Sequence, residues 1–496
     1  MQQAGSAAVA MTMRARAAAL AAAWSEAAAA TTTLGRERAI LRLLGVGGPA
    51  SSGRPLVVEV ASRYFGANPG RLAHGIALPF AAELALGGLT PVALARAVAD
   101  GSVDLASAAA ELANPAARAA AGRTAAGLAA ATLERMDANR TARGELRAML
   151  GEPPRPLLGA MVAPMPLGRA TLAVASASHH GADLVVLGSG DAEAEAEAEA
   201  EGELTAVPAN SAPGLAGLRS QLDEAGAIRG GYVRLGVEID ALAADQAVAA
   251  GLERVDLATV DPMVAIVAGL ASPGHAIADH LFACRVLARA GVDILVPAGP
   301  LVVAPDLQSG IASSPAVRSG RAVAIQLLAV ALAECAGVPR RRITVAGLPA
   351  WLADEPGAMS HAVAELATRR VLFHGCQVAL TESDGTPEDA ATWRALVTLL
   401  IADGEIDLVI ARHQEAIDPI RSAADVASRV RGSRHAGALT DAAAAYRDAV
   451  LEAAGRELDA LEVGGWAALI GDPLEAAAGE PRSGVAIRTD GFDPLG

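Results

Sequence analysis

The sequence predicts an α/β protein: a (β/α)8 barrel of the TIM type, with an N-terminal helical region and a C-terminal helical extension. Three observations carry that expectation. Short apolar, β-branched runs alternate with helix-length segments through the middle of the chain, as a parallel sheet requires. Eight such repeats occupy roughly 275 residues, close to the usual size of about 250 for a closed barrel and more strands than an open doubly wound sheet ordinarily carries. The chain is 52% apolar, ample for a core of that size.

Residues 1–150 read as helix after helix and form the accessory region. Glu37–Leu44 is amphipathic and stops at Gly45, Gly47 and Gly48, and a loop covers Pro49–Pro55. Thr90-Pro91 opens a helix, with threonine as the cap and proline at the first helical position, and Asp100-Gly101 closes it. A long arginine-bearing helix is expected from Ala116 to Met149, followed by a proline-rich linker to Pro156. The barrel is assigned to residues 151–431. Its expected strands are Leu157–Ala163, Leu184–Leu187, Tyr232–Ile239, Val255–Val260, Asp293–Val296, Ile343–Gly347, Gln377–Leu380 and Ile406–Ile410. Helical patterns follow near 168–180, 214–227, 241–251, 274–290, 316–336, 357–370, 387–402 and 419–431. The Ala-Glu run 191–203 interrupts the second repeat and reads as a solvated acidic insertion. Residues 432–496 hold a helix around Asp441–Leu461 and then an irregular tail.

Composition narrows the function. A formal charge of −15 argues against nucleic-acid binding. All 40 basic residues are arginine. With no lysine the chain has no internal Schiff base, no P-loop lysine and no lysine general base. Cys284, Cys335 and Cys376 are too few and too scattered for a disulfide framework, which fits a cytoplasmic protein. The most apolar stretch, Val323–Gly337, is interrupted by Gln326 and Glu334, so no membrane span is expected. Arg14 and Arg16 before an alanine-rich stretch make a poor signal peptide, because Glu26 follows closely.

Chemistry in such a barrel sits where strands end. That rule nominates Ser189 and Gly190 after the second strand, Glu238 and Asp240 after the third, and Asp261 after the fourth. It adds Glu382 and Asp384 after the seventh strand and Arg412 and His413 after the eighth. Converging carboxylates with one histidine suit a divalent metal or an ammonium group. Plain loop polarity accounts for them equally well. Elsewhere, His275 and His280 are five apart and miss the i, i+4 spacing of a helical metal pair, and no GxSxG, Walker A or zinc spacing occurs. No metal site is expected, and no catalytic residue is singled out.

The order of short motifs resembles the α subunit of lysine 5,6-aminomutase. The likeness runs through Glu37-Arg-Ala-Ile-Leu-Arg-Leu-Leu-Gly-Val46, Ala95-Arg-Ala-Val-Ala-Asp-Gly-Ser-Val-Asp-Leu105, Pro156-Leu-Leu158 and His180-Gly-Ala-Asp-Leu-Val-Val186. It continues at Gly231-Tyr-Val-Arg-Leu235, Gly251-Leu-Glu-Arg-Val-Asp256 and Ser483-Gly-Val-Ala486. The resemblance implies a (β/α)8 barrel working with adenosylcobalamin and pyridoxal phosphate, in which radical chemistry moves an amino group of a basic amino acid to the neighbouring carbon. It further implies a partner, a cobalamin-binding β subunit that also carries the Schiff-base lysine, so the missing lysine is what such an α subunit would show. On this reading Ser189, Gly190, Glu238, Asp240 and Asp261 face cofactor, while Glu382, Asp384 and His413 face the small amino-acid substrate. The chain departs from the family at the strand ends. Gly188-Ser-Gly-Asp191 and the Ala-Glu run replace a polar and aromatic cofactor segment, Val237, Glu238 and Asp240 stand for Asn, Tyr and Ser, and apolar residues fill Met263–Leu270. Two further readings keep the barrel: a non-catalytic or regulatory scaffold, and a repurposed enzyme using Glu238, Asp240, Asp261 and Glu382 for a metal or an amine.

Overall fold

The computed structural model describes residues 2–163, 165, 167–188, 212–262, 266, 272–297, 314–347, 358–382, 406–412, 416–422, 441–465, 485–490 and 492–495. Eight parallel strands close a barrel in sequence order. They are β2 (Leu157–Val162), β3 (Leu184–Leu187), β4 (Arg234–Ile239), β5 (Leu257–Val260), β6 (Asp293–Val296), β7 (Ile343–Ala346), β8 (Gln377–Thr381) and β9 (Leu408–Ala411). The expected eight-stranded closed barrel is therefore present. Around it lie α8 (Leu167–His179), α9 (Ala212–Arg229), α10 (Ala244–Leu252), α11 (Pro273–Ala290), α12 (Pro315–Cys335) and α13 (Ala358–Leu372). The expected helix 387–402 and most of 419–431 lie outside the described residues.

Strand starts differ from expectation for a physical reason. The third barrel strand begins at Arg234 rather than Tyr232, because the Tyr232 hydroxyl is drawn to both Asp256 oxygens at 3.0 Å, beneath the sheet. Three aspartates at the N-terminal end latch neighbouring strands together. The Asp183, Asp256 and Asp407 carboxylates accept the amides of Leu158, Leu235 and Val378, each at 3.0 Å. The amides of the same three aspartates donate to the carbonyls of those residues. Each latch aspartate is followed by leucine, which enters the sheet.

Six helices precede the barrel: α1 (Gln2–Ala29), α2 (Leu34–Leu43), α3 (Leu56–Gly66), α4 (Ala77–Gly87), α5 (Pro91–Asp100) and α6 (Leu105–Glu111). The long α7 (Pro115–Leu150) then leads into it. The Thr90 hydroxyl caps α5 as expected, accepting the Ala93 amide at 3.2 Å. The tail is less irregular than expected. β10 (Val485–Ile487) pairs antiparallel with β1 (Thr31–Thr33) and ties the two ends of the chain together. Arg488 then reaches the buried Glu37 at 3.0 Å. The last helix, α14 (Asp441–Gly464), packs on α12, α13 and α1. Among the described residues one helix, Pro315–Cys335, is long and apolar enough to cross a membrane, and 72% of its apolar window is buried within the protein.

Candidate functional site

Strand register decides which side chains enter the barrel. Leu157, Leu184, Val186, Leu257, Leu295, Ala379, Leu408 and Ile410 form one buried cluster, with Met161 against it. These are the inward positions, and side chains two residues apart share a face. Val186 is level with Gly236 and Gly236 with Leu257, so Glu238 points inward one step higher on β4. Thr259 is its register partner on β5, and Asp261 follows one inward step further on. Thr381 sits beside Ile410, and Arg412 continues the inward row of β9. Met161, Glu238, Thr259, Asp261, Thr381 and Arg412 are half-buried, while the strand residues beside them are buried. They mark an open basin at the C-terminal end of the barrel.

The opposite end is closed by ions. Arg143 and Arg147 of α7, with Arg219 of α9, surround the buried Asp256 at 3.8, 4.0 and 3.3 Å. Arg234 and Arg342 approach Asp293 at 3.8 and 3.9 Å. Burial pushes the Asp293 carboxyl up, against the pull of Arg234, Arg147 and Arg342. The same burial, with the charge of Asp256 beside it, holds the Tyr232 phenol well above its ordinary range. In a barrel this face serves stability rather than chemistry.

Of the residues nominated from sequence, Glu238, Asp261 and Arg412 share the basin. Asp240 does not join them. Its carboxylate accepts from Gln246 Nε2 at 2.9 Å and its amide donates to Gln246 Oε1 at 3.0 Å, which folds the turn into α10. Glu382 holds two strand exits together, one oxygen accepting the Arg412 amide at 2.7 Å. Ser189, Gly190, Asp384 and His413 lie outside the described residues, as does the acidic run. Thr259 and Met161 were not nominated, although two-residue alternation back from Asp261 and onward from Leu157 reaches both.

A second polar cluster lies behind β6 and β7, where sequence pattern gave no sign of one. Glu365 and Arg369 of α13 form a fully buried ion pair. The Tyr446 hydroxyl of α14 donates to Glu365 at 3.0 Å and lies 3.0 Å from Ser319 Oγ, with the His361 ring stacked on Tyr446 at 4.1 Å. Arg369 Nε and Gln326 Nε2 both donate to the Ala346 carbonyl, at 3.1 and 2.9 Å, and Gln326 also reaches the Pro297 carbonyl at 3.1 Å. This cluster buttresses two strand exits from outside the barrel. A separate cleft of about 320 Å³ lies on the accessory region, between Leu34 and Arg38 of α2 and Ala61, Ser62 and Phe65 of α3.

With this geometry in place, the family profile described as the D-lysine 5,6-aminomutase TIM-barrel domain of alpha subunit matches residues 6–347. The chain belongs to that family. The match to the aminomutase α-subunit domain begins in α1, runs through all the accessory helices and ends just after β7. No curated protein sequence matches the chain. Solved structures similar to it include dihydropteroate synthases. The enzyme of Xanthomonas albilineans with 4-aminobenzoic acid shares 18% identity, with a TM-score of 0.37 over 56% of this chain and 94% of that one. The Anaplasma phagocytophilum enzyme with bound 6-hydroxymethylpterin-monophosphate shares 15%, with a TM-score of 0.38 over 55% and 98%. The Yersinia pestis enzyme shares 14%, with a TM-score of 0.36 over 56% and 94%. Likeness this distant says nothing about a ligand.

The cofactor expected from the family can be tested against the basin. Pyridoxal phosphate needs cationic or amide donors for its phosphate and a flat apolar partner for its ring. Among the described residues the strand ends carry the carboxylates Glu238, Asp240, Asp261 and Glu382, the guanidinium of Arg412, and no aromatic ring. At about 6 Å one carboxylate opposes a phosphate dianion by roughly 1 kcal/mol in water and roughly 5 kcal/mol at an effective dielectric of about 20. A single guanidinium offsets one such carboxylate, so the described residues do not fit the group.

Proposed function

We propose that this chain is the barrel subunit of an aminomutase-like complex, one that moves the amino group of a basic amino acid in an assembly using adenosylcobalamin and pyridoxal phosphate. Residues 1–150 and 432–496 flank a barrel taken as 151–431, with the acidic run 191–203 as an insertion. A small amino acid enters at the basin, where Glu238 and Asp261 suit its ammonium group. The partner is a cobalamin-binding β subunit carrying the Schiff-base lysine, and the complex works in the cytoplasm. The supporting observation is the reach of the family match, which takes in the accessory helices as well as the first six of the eight barrel strands. The lack of lysine supports it too, since any Schiff base must then form on another chain.

Co-expression with a cobalamin-binding, lysine-bearing partner encoded beside this chain tests the proposal. A stable complex that co-purifies with the visible spectrum of cobalamin is expected. Failure of the two chains to associate would overturn it. The acidic basin favours a second reading, a scaffold that keeps the barrel and the partner surface without turning over substrate. A cobalamin-loaded complex that is inactive on basic amino acids would select that reading.

A further inference from the structure

We infer that the mouth of this barrel supplies no phosphate site for pyridoxal phosphate, so that any such cofactor in the assembly is gripped by the partner subunit. The inference rests on the family reading above and concerns what this chain contributes to it. Three independent features carry it.

The first is side-chain charge. Glu238 and Asp261 occupy inward positions on adjacent strands, and Arg412 is the cation the described inward row provides. The second is the backbone. A barrel lacking cationic side chains can still bind phosphate through amides at its strand exits. Among the described residues, five strand-exit amides are already in use. Gly188 N donates to the Val162 carbonyl at 2.9 Å, Gly347 N to the Ala379 carbonyl at 2.6 Å and Glu382 N to the Ile410 carbonyl at 2.9 Å. Asp240 N is taken by Gln246 and Arg412 N by Glu382. At the start of α11 the His275 amide is capped by Ser272, and at the start of α12 the Val317 amide is capped by Ser314. The third is the sequence of the connecting segments. Residues 188–211, 240–243, 261–272, 297–314 and 347–357 contain no arginine, histidine or tyrosine, while Asp306, Asp354, Glu355 and the Ala-Glu run add acid; Arg394, Arg412 and His413 fall in the segments after the last two strands.

Comparing pyridoxamine 5′-phosphate with pyridoxamine isolates the phosphate, because the ring and the amine are common to both and neither can close to a hemiacetal. Equilibrium dialysis of each against the purified full chain should give affinities within about threefold of one another, or no measurable binding of either. Pyridoxamine 5′-phosphate binding more than about tenfold tighter than pyridoxamine would overturn the inference. In a reconstituted complex, Arg412→Gln should leave retention of pyridoxal phosphate within about twofold of wild type, and loss of the cofactor from a folded R412Q complex would overturn it. The dialysis needs no variant and no partner. If the two subunits fail to assemble, the proposed function falls while this test still returns its own answer.

Discussion

Replacing Arg143 with methionine should loosen α7 from the floor of the barrel at a cost of about 3 kcal/mol. The guanidinium is 4% exposed. It donates to the Val255 carbonyl at the start of the fourth barrel repeat, and to the Ala290 and Gly291 carbonyls at the end of α11. It also lies 3.8 Å from Asp256. Breaking a buried pair by removing one partner ordinarily costs about 3–5 kcal/mol. The lower end applies, because Asp256 keeps Arg219 at 3.3 Å, the Tyr232 hydroxyl and the Leu235 amide. The orphaned carbonyls keep the cost from falling further, since each loses a charged donor in a buried setting. Lysine would not restore the loss, because a single ammonium cannot span carbonyls on two separate elements as a planar fork does. Arg140→Met one turn earlier is the control. Its exposed contact to the Arg289 carbonyl should be worth less than about 1 kcal/mol. A chain of this size need not unfold in one step, so urea unfolding should be paired with hydrogen exchange over residues 115–150. An R143M variant within about 1 kcal/mol of wild type, with exchange in α7 unchanged, would show that the floor network is incidental to the docking of that helix.

Further perturbations probe other buried groups. Tyr446→Phe removes the hydroxyl that Glu365 accepts and that Ser319 touches, and should cost about 1–3 kcal/mol in thermal or urea unfolding, with little added by Ser319→Ala in the double variant. Arg488→Ala leaves Glu37 buried with only the Thr32 hydroxyl at 2.6 Å and the Ile76 amide at 2.8 Å, and should cost about 3 kcal/mol while freeing β10 from β1 in hydrogen exchange. His280 is fully buried, and burial pushes its pKa down from 6.5 to about 4. Because the unfolded chain binds this proton more readily, stability is complete above 6.5 and is lost as pH falls from 6.5 towards 4. The loss attributable to this group reaches about 3 kcal/mol, and it should be missing from His280→Gln, so that the stability difference between wild type and variant shifts by that amount across the window.

The barrel was legible because its evidence is local. Leu184–Leu187 and Asp293–Val296 are short apolar runs between turn residues, and the structure gives both strands with those limits. The pairing of Thr31–Thr33 with Val485–Ile487 was not legible, since three-residue strands leave no periodicity and their partners are more than 400 residues apart. Buried charges were hidden for a related reason. Arg219, Glu365 and Arg369 fall at helical positions where a solvated face would read the same, and only packing shows them enclosed. At the mouth, strand ends alone located Glu238 and Asp261. They could not show that Asp240 serves a turn or that Glu382 binds a backbone amide, because those uses depend on how a loop folds back. One usable signal was overlooked, the Asp-Leu pair that begins three barrel repeats at Asp183, Asp256 and Asp407.

The arginines explain how fold and chemistry can separate on one chain. With no lysine, every compensating cation is a guanidinium, suited to bridging several carbonyls and carboxylates at once. At the floor they are used in that way. Asp183 takes Arg229 and Arg421, Asp256 takes Arg219 and Arg143, Asp293 takes Arg234 and Arg342, and Asp407 takes Arg155. At the mouth, Arg412 is the arginine among the described strand-end residues, against Glu238, Asp240, Asp261 and Glu382. The latching aspartates and the arginine network hold the barrel closed at its floor, at the opposite end from Glu238 and Asp261. The residues that close the barrel there are therefore not the ones that decide which ligands its mouth admits. Family membership accordingly predicts this barrel far more securely than it predicts what binds in its mouth.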